Sequence, residues 1–387
     1  MNTKLRRSLV LSLLLAAACF GGVYAQTTAP AATAPAEFNP LSALPASDMV
    51  IYADQRRIMT ELAPHLMAYD PSLLAKIMGA MEMAKAKTGV NFMGIERVAV
   101  GLRLLGPIGP EFKKENLGIV IVAHGDFDAN ALVAFAKTES KGKLSEQTYA
   151  GKVVYSEPPP EPPKTKPEGE RPAFAVLDAN TLVIGDLVQV RAAVDAAAGT
   201  GRLDPALARL ATEDENALVG IGVNFSPSVV QHLSESAGPN EMARAGIRLL
   251  LSTVKQLSLS AGAGQGSFNL SLGARFCDAQ QAQGVADVLT VARKQASAVD
   301  QKLGALLEGV EVRADGSDVR VRAEIKGEAL RDLGAVFAGR REGASQAPPR
   351  LPEGPGIEVD PTITKKTTTV PAKGKATQRR RSRRRGR

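Results

Sequence analysis

Phe174-Ala-Val-Leu-Asp-Ala-Asn-Thr-Leu-Val-Ile-Gly185 and Val310-Glu-Val-Arg-Ala-Asp-Gly-Ser-Asp-Val-Arg-Val321 share one plan. Each has a strand-like run, a turn rich in Asp, Asn or Gly, and a second strand-like run. Such turn residues accept the backbone conformations that tight connections need, so both stretches read as antiparallel hairpins. In Val319-Arg-Val-Arg-Ala-Glu-Ile325 apolar and charged residues alternate, which predicts a sheet with one wet face.

The elements before each hairpin also recur in the same order. The first series is a strand at 49–53, a helix ending near His65, a helix at 72–87, strands at 95–104 and 117–123, and a helix at 128–137. The second is a strand at 217–223, a helix ending near His232, a helix at 241–253, strands at 256–261 and 268–276, and a helix at 278–294. Asp128 and Asp278 each follow a strand directly and are good helix N-caps. A short helix is expected after each hairpin. The predicted class is therefore α+β: two tandem β-α-β-β-α-β repeats, 46–200 and 213–340, with largely antiparallel sheets and helices on one face.

Composition marks the edges of these units. Lys4, Arg6 and Arg7 precede an apolar run from Leu9 to Phe20, and Val23-Tyr24-Ala25 offers small residues where a signal peptidase reads. About 12 apolar residues are too few for a spanning helix, which needs roughly 20. Residues 1–25 thus read as a cleavable export signal, placing the protein in the periplasm or outside the cell. A second route is lipidation at Cys19, because Ala16-Ala17-Ala18-Cys19 loosely matches a lipoprotein box. Residues 26–45 are Ala/Thr/Pro-rich and expected to be a flexible spacer, and the proline-rich stretch 157–172 is expected to be a loop within the first repeat.

Charge is segregated. The whole chain carries a formal +8, yet residues 361–387 hold four Lys and seven Arg and no acid. Setting aside those eleven charges and the three of the signal turns +8 into −6 for residues 26–360. The body is mildly acidic, and residues 341–387 read as a disordered basic tail. Arg379, Arg380, Arg381, Arg383, Arg384, Arg385 and Arg387 form the expected polyanion-binding site. Behind an export signal the available partners are anionic envelope polymers and lipid headgroups.

Motifs for chemistry are sparse. The three histidines, His65, His124 and His232, are far apart and lack metal-ligand spacing. Ala261-Gly-Ala-Gly-Gln-Gly266 precedes a strand rather than a helix, so it reads as a hairpin connection and not a phosphate loop. Ser252-Thr-Val-Lys255 matches S-x-x-K, but its companion Lys87-Thr88-Gly89 comes too early and closes a helix. Glu213-Asp214-Glu215 reads as a surface cluster. Aromatics are 4% of the chain and Trp is absent, which argues against stacking on sugars or single-stranded nucleic acid. Met78, Met81 and Met83 approach copper-site spacing but share a helix with Leu73, Leu74 and Ile77, so core packing is expected. Cys277 reads as a small buried residue at a strand end.

Leu44-Pro-Ala-Ser-Asp-Met-Val-Ile-Tyr-Ala-Asp54, a helix-rich segment, and Thr88-Gly-Val-Asn-Phe-Met-Gly-Ile-Glu-Arg-Val-Ala-Val-Gly101 resemble the opening of uncharacterised exported bacterial proteins of the domain-of-unknown-function type. The resemblance covers about residues 44–135 and implies no catalytic, cofactor or metal residues. The leading expectation is a non-enzymatic envelope binding or scaffold protein of unknown ligand. The alternative is an exported hydrolase whose site is assembled from both repeats, using Asp54, Asp126 or His124 near strand ends.

Overall fold

The computed structural model of the chain describes residues 38–64, 71–106, 116–158, 171–236, 241–264, 267–299, 307 and 309–326. The strands are β1 (Met49–Asp54), β2 (Ile95–Leu104), β3 (Leu117–Gly125), β4 (Ser145–Tyr149), β5 (Lys152–Ser156), β6 (Pro172–Asp178), β7 (Thr181–Asp186), β8 (Val219–Asn224), β9 (Val254–Ala263), β10 (Ser267–Phe276), β11 (Val310–Asp315) and β12 (Asp318–Lys326). All pair antiparallel in one twelve-stranded sheet, ordered β11-β12-β10-β9-β8-β1-β2-β3-β7-β6-β5-β4. The fold is α+β, as the hairpins and alternation imply. It differs from two separate sheets because β1 and β8 pair directly, Ile51 opposite Ile221, and so join both halves into one ladder.

Register sorts the side chains by face, since residues directly opposite in a ladder point the same way. One face carries Val98, Val100, Ile121, Ala123 and Leu182, packed under α1 (Pro71–Thr88) with Met81 and Ala84. Leu132 of α2 (Ala129–Glu139) joins this cluster. The other face carries Val50, Ala99, Val120, Val122, Ala175 and Val183 under α3 (Leu187–Ala197) and α4 (Pro205–Thr212). Helices therefore cover both faces of the β1–β7 half, not one. The cause is legible in the strands: β2 and β3 are nearly continuous apolar runs, buried on both sides, rather than alternating ones.

Beyond β8 the sheet is more thinly covered. Residues Pro227–Glu235 (α5) and Glu241–Thr253 (α6) lead into β9, and Ala279–Val299 (α7) packs Ala282 and Ala286 against Phe276 and Val319. Aspartates start helices as expected: Asp128 accepts from the backbone N–H of Asn130 and Ala131 at 2.9 Å, and Asp278 from that of Gln281 at 2.8 Å. Thr88 closes α1 by donating to the Ala84 carbonyl at 2.8 Å, and Gly89 supplies the left-handed φ of +72° at the exit.

Three local readings change. Residues 40–45 are not spacer: Pro40–Ala43 form a 3-10 turn, and Leu41, Ala43 and Leu44 are buried under α3. Ala and Pro content suggested a linker, but Leu41 and Leu44 supply an apolar pair at helical spacing. Cys277 is exposed, one residue past β10, with its Sγ donating to the Ser252 carbonyl at 3.2 Å. Met81 is core and Met78 packs beside Ile58, whereas Met83 faces solvent. Strand β4 and helix α4 have no counterpart in the sequence reading, whereas β5 is the strand-like stretch expected before the proline-rich loop. Ser145-Glu-Gln-Thr-Tyr149 carries few apolar residues, which suits its position at the sheet edge.

Residues 1–37, 65–70, 159–170 and 327–387 lie outside the described residues. With them lie the export signal, Cys19, Ala25, His65, most of the proline-rich loop, and the tail arginines. Among the described residues no helix is long and apolar enough to cross a membrane.

Candidate functional site

Four polar side chains form a row across the central strands. Asp54 on β1 lies opposite Arg97 on β2, Arg97 opposite His124 on β3, and His124 opposite Thr181 on β7. The register puts all four on the α3/α4 face, next to the apolar rows Tyr52-Ala99-Val122-Val183 and Val50-Gly101-Val120-Gly185.

Each member is held by its neighbours. Asp54 ends β1 and caps the helical turn that follows, accepting from the Arg57 N–H at 2.9 Å, while its other oxygen lies 4.0 Å from Arg97 Nε. Arg97 also donates from Nη1 to the Phe38 carbonyl at 3.5 Å. The His124 ring packs on Phe38 at 4.9 Å between centroids, and its Nδ1 is 3.1 Å from the fully buried Thr181 hydroxyl. Beside the row, Gln55 donates from Nε2 to the Phe92 carbonyl at 3.2 Å, and its Oε1 finds no hydrogen-bond partner among the described residues. Arg57 ties this corner to the second half by donating to the Glu215 and Ala217 carbonyls at 3.1 and 3.2 Å. It also pairs with Glu61 at 2.7 Å, and that hydrogen bond raises the guanidinium pKa further.

Of the three groups expected to serve a hydrolase, Asp54 and His124 share this row and Asp126 does not. Asp126 is exposed in the turn after β3, where its N–H donates to the Gly94 carbonyl. Asp54 and His124 are two strands apart, roughly 10 Å at the usual interstrand spacing, with Arg97 between them. An acid–base pair needs contact at about 3 Å. The row instead provides a partly buried cation and an imidazole, each anchored on the Phe38 backbone or ring. Arg97 and Thr181 escaped the sequence reading. The available signal was parity: Arg97 and His124 sit at the same strand phase as buried Ala99 and Val122, where apolar residues are otherwise the rule.

The β9–β12 half presents two unlike surfaces. Ser258, Ser271, Gly273, Arg320 and Arg322 share the face opposite α7. Here Arg275 holds Asp318 through bonds of 2.8 and 3.0 Å, which lowers the carboxyl pKa and raises that of the guanidinium. Arg320 pairs with Glu213, and Ser260 donates to Asp214 at 2.9 Å, so two of the three acids in the 213–215 cluster hold the second half together. The reverse face carries Leu259, Leu270 and Leu272, 41%, 39% and 42% exposed. A shallow cavity of about 400 Å³ lies between α7 and β11, lined by Thr290, Arg293 and Gly309–Val312.

His232 lies on α5 with Nδ1 4.0 Å from Glu235, a helix-end pairing. Ser252 donates back to the Leu249 carbonyl at the end of α6, so the S-x-x-K match is a helix terminus running into β9. Among the described residues no group of three or more His, Cys, Asp or Glu is arranged to hold a metal ion.

No protein-family model matches the chain, and no curated protein matches it. Among solved structures the chain is similar to TP0453. Its crystal form I is matched at 10% identity and a TM-score of 0.40, covering 78% of this chain and 98% of that one. For crystal form III the figures are 11%, 0.41, 76% and 97%.

Proposed function

We propose that the protein is exported and acts in the cell envelope as a non-enzymatic binding or scaffold protein, with its polybasic end contacting anionic polymers or lipid headgroups. The observation that carries this reading is the division of charge: eleven Lys and Arg with no acid in residues 361–387, against a net acidic 26–360. Counterion release makes such a run bind polyanions with affinity that falls steeply as salt rises. The broad sheet is the body that this contact would position. Its polar row supports a structural role, since Asp54 caps a turn, Arg97 anchors the Phe38 backbone and His124 bonds Thr181.

The body is further read as two copies of one unit. Outward from the β1–β8 pair the strand orders run β1-β2-β3-β7-β6 and β8-β9-β10-β12-β11, the same sequence of connections, with β4–β5 as an addition to the first copy.

The test is binding of the exported protein, with and without residues 361–387, to vesicles of anionic lipid and to isolated envelope polymer across a salt series. Binding lost with the tail and with salt is the expected result. Equal binding by the truncated form would move the contact to the body and refute the tail assignment.

A further inference from the structure

Strand β11 is one edge of the sheet, bonded on its inner side to β12. In an antiparallel ladder the backbone groups of successive residues turn alternately toward the neighbouring strand and away from it. The Gly309 carbonyl accepts from the Glu324 N–H at 3.2 Å, so Gly309, Glu311 and Arg313 bond inward, and Val310, Val312 and Ala314 turn their N–H and C=O groups outward. Arg293 of α7 donates to the Val310 carbonyl, and among the described residues nothing bonds the outward groups of Val312 and Ala314. The cavity of about 400 Å³ lies beside this edge, lined by residues of α7 and β11 and by none of β12.

The sequence of the edge, Val310-Glu-Val-Arg-Ala-Asp315, is self-complementary about Val312. Laid antiparallel with Val312 opposite its own copy, Glu311 of each strand faces Arg313 of the other, and Val310 faces Ala314. That register joins the outward groups at 310, 312 and 314 in up to about six backbone hydrogen bonds. Setting Val312 opposite Val310 instead brings Glu311 against Glu311, and setting it opposite Ala314 brings Arg313 against Arg313. Like charges directly opposite are destabilising, and larger shifts run Val312 past the end of the strand. We infer that β11 is a homodimer edge, through which two copies of the chain pair antiparallel about Val312 into one continuous sheet.

Electrostatics within each copy favour the same pairing. Arg313 lies opposite Arg320 of β12, and its counter-ion is Glu311 on its own strand, 2.5 Å away, with the two side chains 74% and 49% exposed. So exposed a pair is weak and readily exchanged. In the dimer Arg313 stands between Arg320 and the partner's Glu311, and Glu311 between Arg322 and the partner's Arg313, so charges of opposite sign meet across the seam. On the other face Val312 and Ala314, packed with α7, extend the apolar layer to their copies. Because both copies use the same strand, the contact closes at two and leaves β4 at each outer edge.

The test is sedimentation equilibrium of the full chain as parent, Glu311→Arg and Arg313→Glu, with far-UV circular dichroism to check that each variant folds. The parent is expected to dimerise as concentration rises. Glu311→Arg sets arginine against arginine at both charge pairs and Arg313→Glu sets glutamate against glutamate, so each alone should dimerise at least about tenfold more weakly. Mixed in equal amounts, the two variants restore both opposite-charge pairs and should form a heterodimer within about threefold of the parent's strength. A parent that stays monomeric at every concentration, a dimer indifferent to both substitutions, or folded variants whose mixture associates no better than either alone would each overturn the proposal.

Discussion

Leu44→Ala is the most direct test of how the chain enters the sheet. Leu44 is fully buried and accepts a backbone hydrogen bond from Leu203, so its segment closes over β2, β3 and the turn before α4. A Cβ built on Gly101 would meet Ser47 Oγ at 2.6 Å, Val120 Cγ1 at 3.2 Å and Leu44 Cδ2 at 3.4 Å, so the leucine is one of three side chains packed over that glycine of β2. Removing three carbons loses roughly 2.4 kcal/mol of transfer free energy at about 0.8 kcal/mol each. Val120 and Gly101 are held by the β2–β3 ladder and can close the hole only in part, so a cavity term of about 1 kcal/mol or more should be added. The expected loss is about 3–4 kcal/mol, read as a lower urea midpoint by far-UV circular dichroism with an unchanged slope. Ser42→Ala, exposed on the same turn, should stay within about 0.5 kcal/mol of the parent. A Leu44→Ala loss as small as that of Ser42→Ala would show that 40–45 is a spacer after all, as its composition suggested.

Two further outcomes follow from close contacts and from charge. A Cβ at Gly220 would stand 1.8 Å from the Ala211 carbonyl, so Gly220→Ala must push α4 off β8; the expected cost is about 1–3 kcal/mol, measured as a lower thermal midpoint, and an unchanged midpoint would refute that packing. Asp318 is depressed by the hydrogen bond from Arg275, so its stabilising contribution is present above the unfolded carboxyl range near pH 3.9 and disappears as pH falls through its lower folded value. Asp318→Asn should therefore lower the urea midpoint at pH 7, with the difference from the parent vanishing in acid; a difference that persists unchanged would rule out the ion pair as its source.

Element type was legible where one physical signal dominated. Asp128 and Asp278 after strands, the Asp-Gly turn at 315–316 and the alternation in β12 each have a local cause, and each stands where the sequence places it. The joining of the halves was not legible, because pairing of β1 with β8 depends on side-chain fit across about 170 residues of intervening chain, beyond any local pattern. Helices on both faces were misjudged for a related reason. Val98-Ala-Val-Gly101 and Ile119-Val-Ile-Val-Ala123 have no polar phase, and a strand without one is buried on both sides, a point that the alternation of β12 obscured.

The polar row shows what local reading misses about a site. Asp54 and His124 attracted attention as isolated chemistry-bearing residues near strand ends, yet their meaning lies in Arg97, which separates them by occupying the strand between. A cation in that position makes Asp54 a counter-ion and turns Phe38 into an anchor, so the N-terminal segment 38–44 is fastened at one end by the row and at the other by Leu44 in the core. Asp54 and His124 thus act, through Arg97 and Phe38, to fasten the segment 38–44 to the sheet. Substituting Arg97 by Met removes the charge and the Phe38 contact together but leaves strand β2 apolar, so the consequence should fall on the 38–44 segment rather than on the sheet. That separation distinguishes a fastening from a catalytic arrangement, in which loss of Arg97 would act on the Asp54 and His124 side chains themselves.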